Sequence, residues 1–300
     1  MYVKMFNFWY FFWIFLSIAC YVGLYFLLKN KSNKTKNIVL FSILVLALVM
    51  HFTKAFYPPY STNKDYFLKE VFFVNICGAN ILFFPFMYFS KNQKTRDYMF
   101  YMGLISGFAS ICYPTVALFK DNPLAEWMDI VRYYVHHSII WIVPLLMVTL
   151  KLHKPSYKSM LSVPTYLMGV LIFVMANQII QSEIGIISLR NNNFFDINYP
   201  NPSLIWGPTS DWVSNFLTNF CPSIFRYIPV GVNAGQVKYW PLLWLVVPIY
   251  IAGIIGVFGI GMIFDYKTFK SDIKNIKQFV IKTKDKFFTK NIEKNSNQKE

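Results

Sequence analysis

Residues 130–150 read IVRYYVHHSIIWIVPLLMVTL, and Lys151, Lys154 and Lys158 follow at once. About 20 predominantly apolar residues, at ~1.5 Å rise each, cross a hydrocarbon core. The stretch therefore predicts a transmembrane helix with a basic loop at one end. The same criterion gives spans at Phe6–Leu28, Ile38–Phe56, Val71–Phe89 and Tyr98–Phe119 before it, and at Leu161–Gln181 and Pro241–Phe264 after it. The expectation is an all-α bundle of seven transmembrane helices within residues 1–264, a polytopic protein of the cell membrane, with a Lys-rich tail at 265–300. A composition of 55% hydrophobic, 20% aromatic and 14% charged residues excludes a soluble domain of this length.

The loops after the first, third and fifth spans and the tail carry 20 of the 29 basic residues. The cytoplasmic excess of Lys and Arg then predicts an N-terminus outside and a C-terminus inside. Basic residues that flank spans, rather than clustering with aromatics on a soluble face, exclude nucleic acid as a partner. The tail mixes 10 Lys with Asp272, Asp285, Glu293 and Glu300, and is expected along anionic head groups or partly disordered. The first apolar run lacks a small-residue cleavage site, so no cleavable signal peptide is expected.

Ionisable and amide side chains inside a span are costly and mark candidate sites. Counted by helical rise, His51 in span two, Asn75, Cys77 and Asn80 in span three, Cys112 in span four, His136 and His137 in span five and Asn177, Gln178 and Gln181 in span six reach one layer about 8–10 Å below the outer surface. The inner half is nearly free of such groups, so the candidate site faces the outer leaflet. Cys beside His is the minimal pair for nucleophilic catalysis, because a base converts the thiol to a thiolate. Other readings stay open: a buried Cys packs as a small apolar residue, and an intramembrane His hydrogen-bonds a neighbouring helix. His51, Cys77 and either His136 or His137 are zinc-compatible ligand types, and Cys77, Cys112 and Cys221 are candidates for a disulfide.

The stretch Phe72-Phe73-Val74-Asn75-Ile76-Cys77 is similar to the Leu-Pro-Leu-His-Leu-Cys element of the YwaF-like integral membrane proteins. Tyr133-Tyr134-Val135-His136-His137-Ser138 resembles that family's second element, an aromatic pair leading to Ser-His-Gly. An animal branch of the family is regarded as a phospholipid acyltransferase, so the resemblance implies catalysis by Cys77 and His137 on membrane lipids; no cofactor or metal is expected. Phe73 stands where the motif has Pro, and Asn75 where it has His.

Residues 182–240 form a long loop, expected to carry an interfacial helix at about 212–228. There Trp212, Phe216, Phe220, Ile224 and Ile228 share one i,i+4 row, with Pro222 as a break. The segment is expected at the interface or folded over the polar layer. Turns are expected at 198–202 and Gly207-Pro208. Gly103 and Gly107 in span four, and Ala252, Gly253, Gly256 and Gly259 in span seven, predict close helix packing. The leading expectation is a lipid acyltransferase or hydrolase in which Cys77 attacks an ester, His137 moves the proton, and Asn75, Asn80 or Asn177 binds the oxyanion, with His51 and His136 in support. A transporter or channel and a non-catalytic assembly factor are the rivals.

Overall fold

A computed structural model describes residues 3–58, 61–62, 72–114, 127–185, 201, 203–209 and 212–296. Among the described residues the regular elements are helices, apart from one isolated antiparallel bridge between Tyr227 and Val237. α1 is Phe8–Leu28, α2 is Asn33–Phe52 with a 3-10 turn at Thr53–Phe56, and α3 is Ile76–Tyr88. α4 begins as Gln93–Met102, passes through a π-helical turn at Gly103–Phe108 and ends with Ala109–Cys112. α5 is Trp127–Thr149, α6 Ser162–Glu183, α7 Trp212–Thr218, α8 Leu243–Phe264 and α9 Tyr266–Ser296. Side-chain caps start the first three helices: Asn7 Oδ1 accepts from Tyr10 N at 2.9 Å, Ser32 Oγ from Thr35 N at 3.2 Å and Asn75 Oδ1 from Gly78 N at 2.7 Å.

Five helices, α1, α2, α5, α6 and α8, are long and apolar enough to cross a membrane. The expected third and fourth spans are the exceptions. The fourth is α4, in which no segment exceeds 10 residues. The helix of the third starts only at Ile76 and has 13 residues, because Phe72–Asn75 are not helical and the Asn75 side chain caps the helix there. Val71 and Phe119, the expected ends of spans three and four, and the turn at 198–200 lie outside the described residues. The helix expected at 212–228 stops at Thr218; a 3-10 turn at Ser223–Phe225 comes after Pro222, which lacks the N–H that a continuing helix needs. From Tyr266 to Ser296 the tail is a helix, α9.

α5 is the axis of the bundle. Of its most apolar stretch 67% is buried, against 17–33% in the other four spans. Its closest neighbour is α4, and the glycines explain why. A Cβ at Gly103 would lie 2.5 Å from the Ile140 carbonyl and 2.8 Å from Pro144 Cγ, and one at Gly107 would lie 2.9 Å from Trp141 N and 3.0 Å from the His137 carbonyl. Gly253 presses on Pro164 and Gly261 on Tyr157 in the same way, whereas Gly259 meets nothing. The packing expected of Gly103, Gly107 and Gly253 is therefore found, while that of Gly259 is not.

One end of the bundle collects the basic loops. Asp97, with no exposed surface, accepts from His153 Nε2 at 2.8 Å, Ser159 Oγ at 2.5 Å and Gln93 Nε2 at 2.9 Å, joining the start of α4 to the α5–α6 loop. A buried carboxylate needs partners of this kind. The same loop holds α9, through Lys154 to Asp265 at 3.0 Å, Lys158 to Asp272 at 2.7 Å and the Tyr157 hydroxyl to Asp272 at 2.5 Å.

Gly103→Ala is expected to cost about 1–3 kcal/mol through overpacking, while Gly259→Ala leaves the thermal midpoint in detergent unchanged or raises it slightly. Equal midpoints for the two variants would contradict the close contact. Hydrogen bonds from Lys158 and Tyr157 hold the Asp272 carboxyl below its ordinary value of 3.8, so the ion pair tethers α9 fully above that value. The tether is lost as pH falls through the lower, folded value. Limited proteolysis of α9 is expected to accelerate below about pH 4, and not to do so in Asp272→Asn.

Candidate functional site

The polar residues expected in one layer do gather at the end of the bundle opposite the basic loops, but as three clusters. The first is built on the entry to α3. Phe72–Val74 enter the bundle without helical structure, so their carbonyls need partners. α6 supplies them: Asn177 Nδ2 donates to the Phe72 carbonyl, as does Gln181 Nε2 at 3.2 Å, and Gln178 Nε2 reaches the Val74 carbonyl at 3.4 Å. Ser203 Oγ accepts from Ile76 N at 3.2 Å, so the long loop caps α3 together with Asn75. Ile205 and Trp206 of that loop are buried, with Trp206 Nε1 donating to Gln178 Oε1 at 2.8 Å and Leu242 N to the Ile205 carbonyl at 2.7 Å. Residues 203–209 thus enter the bundle, and of the segment at 212–228 Leu217, Cys221 and Phe225 pack against the core. Asn75 and Asn177 hold the backbone.

The second cluster contains Cys77, in the first turn of α3. Cys77 Sγ lies 4.0 Å from Ser110 Oγ at the end of α4. The Ser110 carbonyl accepts from the Tyr133 hydroxyl at 2.7 Å, and the Tyr133 carbonyl lies 2.7 Å from His137 Nδ1. The rings of Tyr133 and His137 are 4.2 Å apart between centroids. A carbonyl only accepts, so His137 carries its proton on Nδ1 and Nε2 keeps the lone pair of a base. Cys77 and His137 are therefore two ends of one chain through Ser110 and Tyr133, with no hydrogen bond directly between them. Three residues along α3 from Cys77, Asn80 has no exposed surface; its Oδ1 accepts from the Tyr98 hydroxyl at 2.9 Å, and its Nδ2 donor has no partner.

The third cluster joins α2 to α5. His51 stacks on Phe73, with centroids 4.6 Å and planes 9° apart, and lies 6.2 Å from His136. Phe73 takes a left-handed backbone, φ 51°, which costs a non-glycine residue roughly 1–2 kcal/mol and which proline cannot adopt. Arg132 bonds Asp129 Oδ1 through Nε at 2.8 Å and Nη2 at 2.6 Å, and its Nη1 lies 3.4 Å from His136 Nδ1. Lys54, one turn past His51, is 2% exposed.

All four cysteines are free thiols, and among the described residues no group of three His, Cys, Asp or Glu is placed to hold a metal ion. Cys112 ends α4, where its carbonyl accepts from the Tyr10 hydroxyl at 2.7 Å. Two apolar cavities open between helices: one of about 350 Å³ between α3 and α6, beside Phe83 and Gly169, and one of about 210 Å³ between α1, α2 and α5, beside Ser17 and Ser138. Neither is lined by Cys77, His51, His136 or His137.

The bridging roles of Ser110 and Tyr133 were hidden in the sequence. Ser110 reads as a small packing residue beside the glycines and Tyr133 as one aromatic among many; their spacing to Cys77 exists only in three dimensions. Ser203 and Trp206 sit in a stretch without helical periodicity.

No curated protein and no solved structure matches the chain. A family model covers residues 3–225, which include α1 to α7 and all three clusters, and with its apolar helices the chain is an integral membrane protein that belongs to the TMEM164 family.

Proposed function

We propose that this protein is a membrane acyltransferase or hydrolase acting on lipid esters, with Cys77 as nucleophile and His137 as base. The observation that carries the reading is the chain from Cys77 through Ser110 and Tyr133 to His137, in which Nε2 of the histidine is left as proton acceptor. Two further features support it. Asn80 Nδ2, three residues along α3 from Cys77, is a buried donor without a partner, the kind of group that binds a developing oxyanion. The resemblance to the YwaF-like proteins implies the Cys and His of an acyltransferase at these two positions.

In the reaction, the thiol turns from Ser110 and gives its proton to His137 Nε2. The thiolate adds to the ester carbonyl, Asn80 Nδ2 donates to the oxyanion, and collapse releases the alcohol, which takes the proton back from His137. The acyl group remains as a thioester on Cys77. His137 then deprotonates an acceptor hydroxyl, of a lysolipid or of water, which attacks the thioester and returns Cys77 as a thiol.

Membrane placement accords with the same reading: seven crossings, counting α3 and α4, an N-terminus outside and the three clusters at the outer leaflet of the cell membrane. α9 lies along anionic head groups, since Ile273, Ile276 and Val280 share one face and Lys267, Lys270 and Lys274 another. A second reading, a non-catalytic scaffold, draws on Asn75, Asn177, Gln178 and Gln181, all of which are engaged in holding backbone or loop.

Purified protein incubated with acyl-labelled phospholipid is expected to retain a hydroxylamine-sensitive label. Cys77→Ala removes it, and His137→Ala slows its formation by about 10²–10⁴-fold, the usual worth of general base catalysis. Label that persists in Cys77→Ala, or none in the wild type under conditions where the fold is intact, leaves the scaffold reading. Asn80→Ala is expected to slow acylation by about 10²–10³-fold without lowering lipid binding, measured by single-turnover labelling against lipid concentration.

A further inference from the structure

The cleft of about 210 Å³ between α1, α2 and α5 takes no part in that chemistry. Its wall runs from Trp13 to Leu24 on α1 and from Tyr134 to Ile142 on α5. By helical rise it reaches inward from the polar end of the bundle by roughly 12–16 Å, about half of a ~30 Å hydrocarbon core. That is the depth one acyl chain fills. Halfway along, Ser17 and Ser138 turn on each other: Ser138 Oγ donates to Ser17 Oγ at 2.7 Å, which also accepts from Trp141 Nε1 at 3.0 Å. Their polarity is spent within the wall, and the lining stays apolar. Leu16 and Cys20, both exposed, form a rim open to the lipid beside the bundle.

The polar end of the cleft differs. Trp13 and Tyr134 stack there, with centroids 5.0 Å and planes 5° apart, and are 7% and 1% exposed. Trp13 Nε1 and the Tyr134 hydroxyl are buried, and neither has a hydrogen-bond partner among the described residues. An indole N–H only donates, and a buried donor left unpaired is expensive. The larger cleft, between α3 and α6, offers no such group: the Tyr166 hydroxyl bonds Thr95 at 2.9 Å, and Thr165 bonds the Tyr250 hydroxyl at 2.7 Å.

We propose that the cleft between α1, α2 and α5 binds one acyl chain of an ester-linked membrane lipid, with the carbonyl oxygen of that chain at Trp13 Nε1 and the Tyr134 hydroxyl. The chain matches the apolar wall, and its carbonyl brings an acceptor to the end where two donors lack one. This end adjoins the thiol. The Tyr10 hydroxyl, three residues before Trp13, donates to the carbonyl of Cys112, two residues beyond the Ser110 that meets Cys77. Tyr10 and Cys112 also act electrostatically on Tyr134. That the lipid presents its other ester to Cys77 rests on the function proposed above; the chain site rests on the cleft.

The test is photolabelling of the full-length Cys77→Ala chain in detergent by a phosphatidylcholine with a diazirine on its acyl chain, mapped by peptide mass spectrometry. Label is expected within residues 13–24 and 134–142. Unlabelled diacyl phosphatidylcholine is expected to displace it about five- to tenfold better than the dialkyl ether analogue, which lacks the carbonyls, by the worth of one hydrogen bond. Trp13→Phe and Tyr134→Phe, which keep the stacked rings, together bring the two competitors level. Cys20→Trp or Leu16→Trp, filling the cleft from its rim, removes the label, whereas Gly169→Trp in the larger cleft, where an added Cβ meets nothing, leaves it. Thermal midpoints establish which variants are folded. Label spread over the lipid-facing surfaces of all the spans, or label that survives both filling variants, overturns the proposal. So does equal competition by the two lipids when Trp13 and Tyr134 are intact. Because Cys77→Ala forms no thioester, labelled clefts without acyl transfer, or acyl transfer without labelled clefts, make the site and the proposed reaction fail separately.

Discussion

A helix that begins inside a packed bundle must find partners for its first N–H groups, and the chain leading into it must find donors for its carbonyls. α3 is such a helix, and much of the polar end of this protein derives from that constraint. Asn75 and Ser203 meet the N–H groups, and Asn177, Gln178 and Gln181 meet the carbonyls. Trp206 then occupies the remaining acceptor of Gln178 and fastens the long loop to the bundle. The left-handed turn at Phe73, stacked on His51, bends the chain into position.

Much of this was legible in the sequence. The apolar runs give the helices, and depth counting brings residues from five spans to one end, because helical rise is nearly constant and a membrane fixes the scale. Gly103 and Gly107 announce a close helix contact by spacing alone. What depth counting lacks is azimuth. It places Cys77, His136 and His137 at one level without saying that His136 turns toward α2 and Arg132 while His137 turns toward Tyr133 and α4. The two imidazoles, adjacent in sequence and about 100° apart around the helix, serve different clusters.

Hydropathy also fails wherever the chain stays apolar but stops being helical. Phe72, Phe73 and Val74 read as the first turn of a span, and only the amides of α6, more than 100 residues away, let them leave the helix. The network of Asp97, His153 and Ser159 escaped for a related reason: its members sit in or beside basic loops, where polar residues are unremarked. Pro222 was legible as a break, yet its effect on the length of α7 depended on the turn beyond it.

The π turn in α4 decides which residues of the candidate site share a face. Twelve residues of regular α-helix would leave Ser110 about 120° around the axis from Tyr98. A π turn spends about one residue more per turn, which winds Ser110 back by about 100°. Tyr98 and Ser110 thereby come to one face, and both meet α3, at Asn80 and at Cys77. The extra residue works as a phase corrector: it lets one helix keep its tyrosine and its serine on a single neighbour across almost the whole length of α4, while its glycines remain against α5.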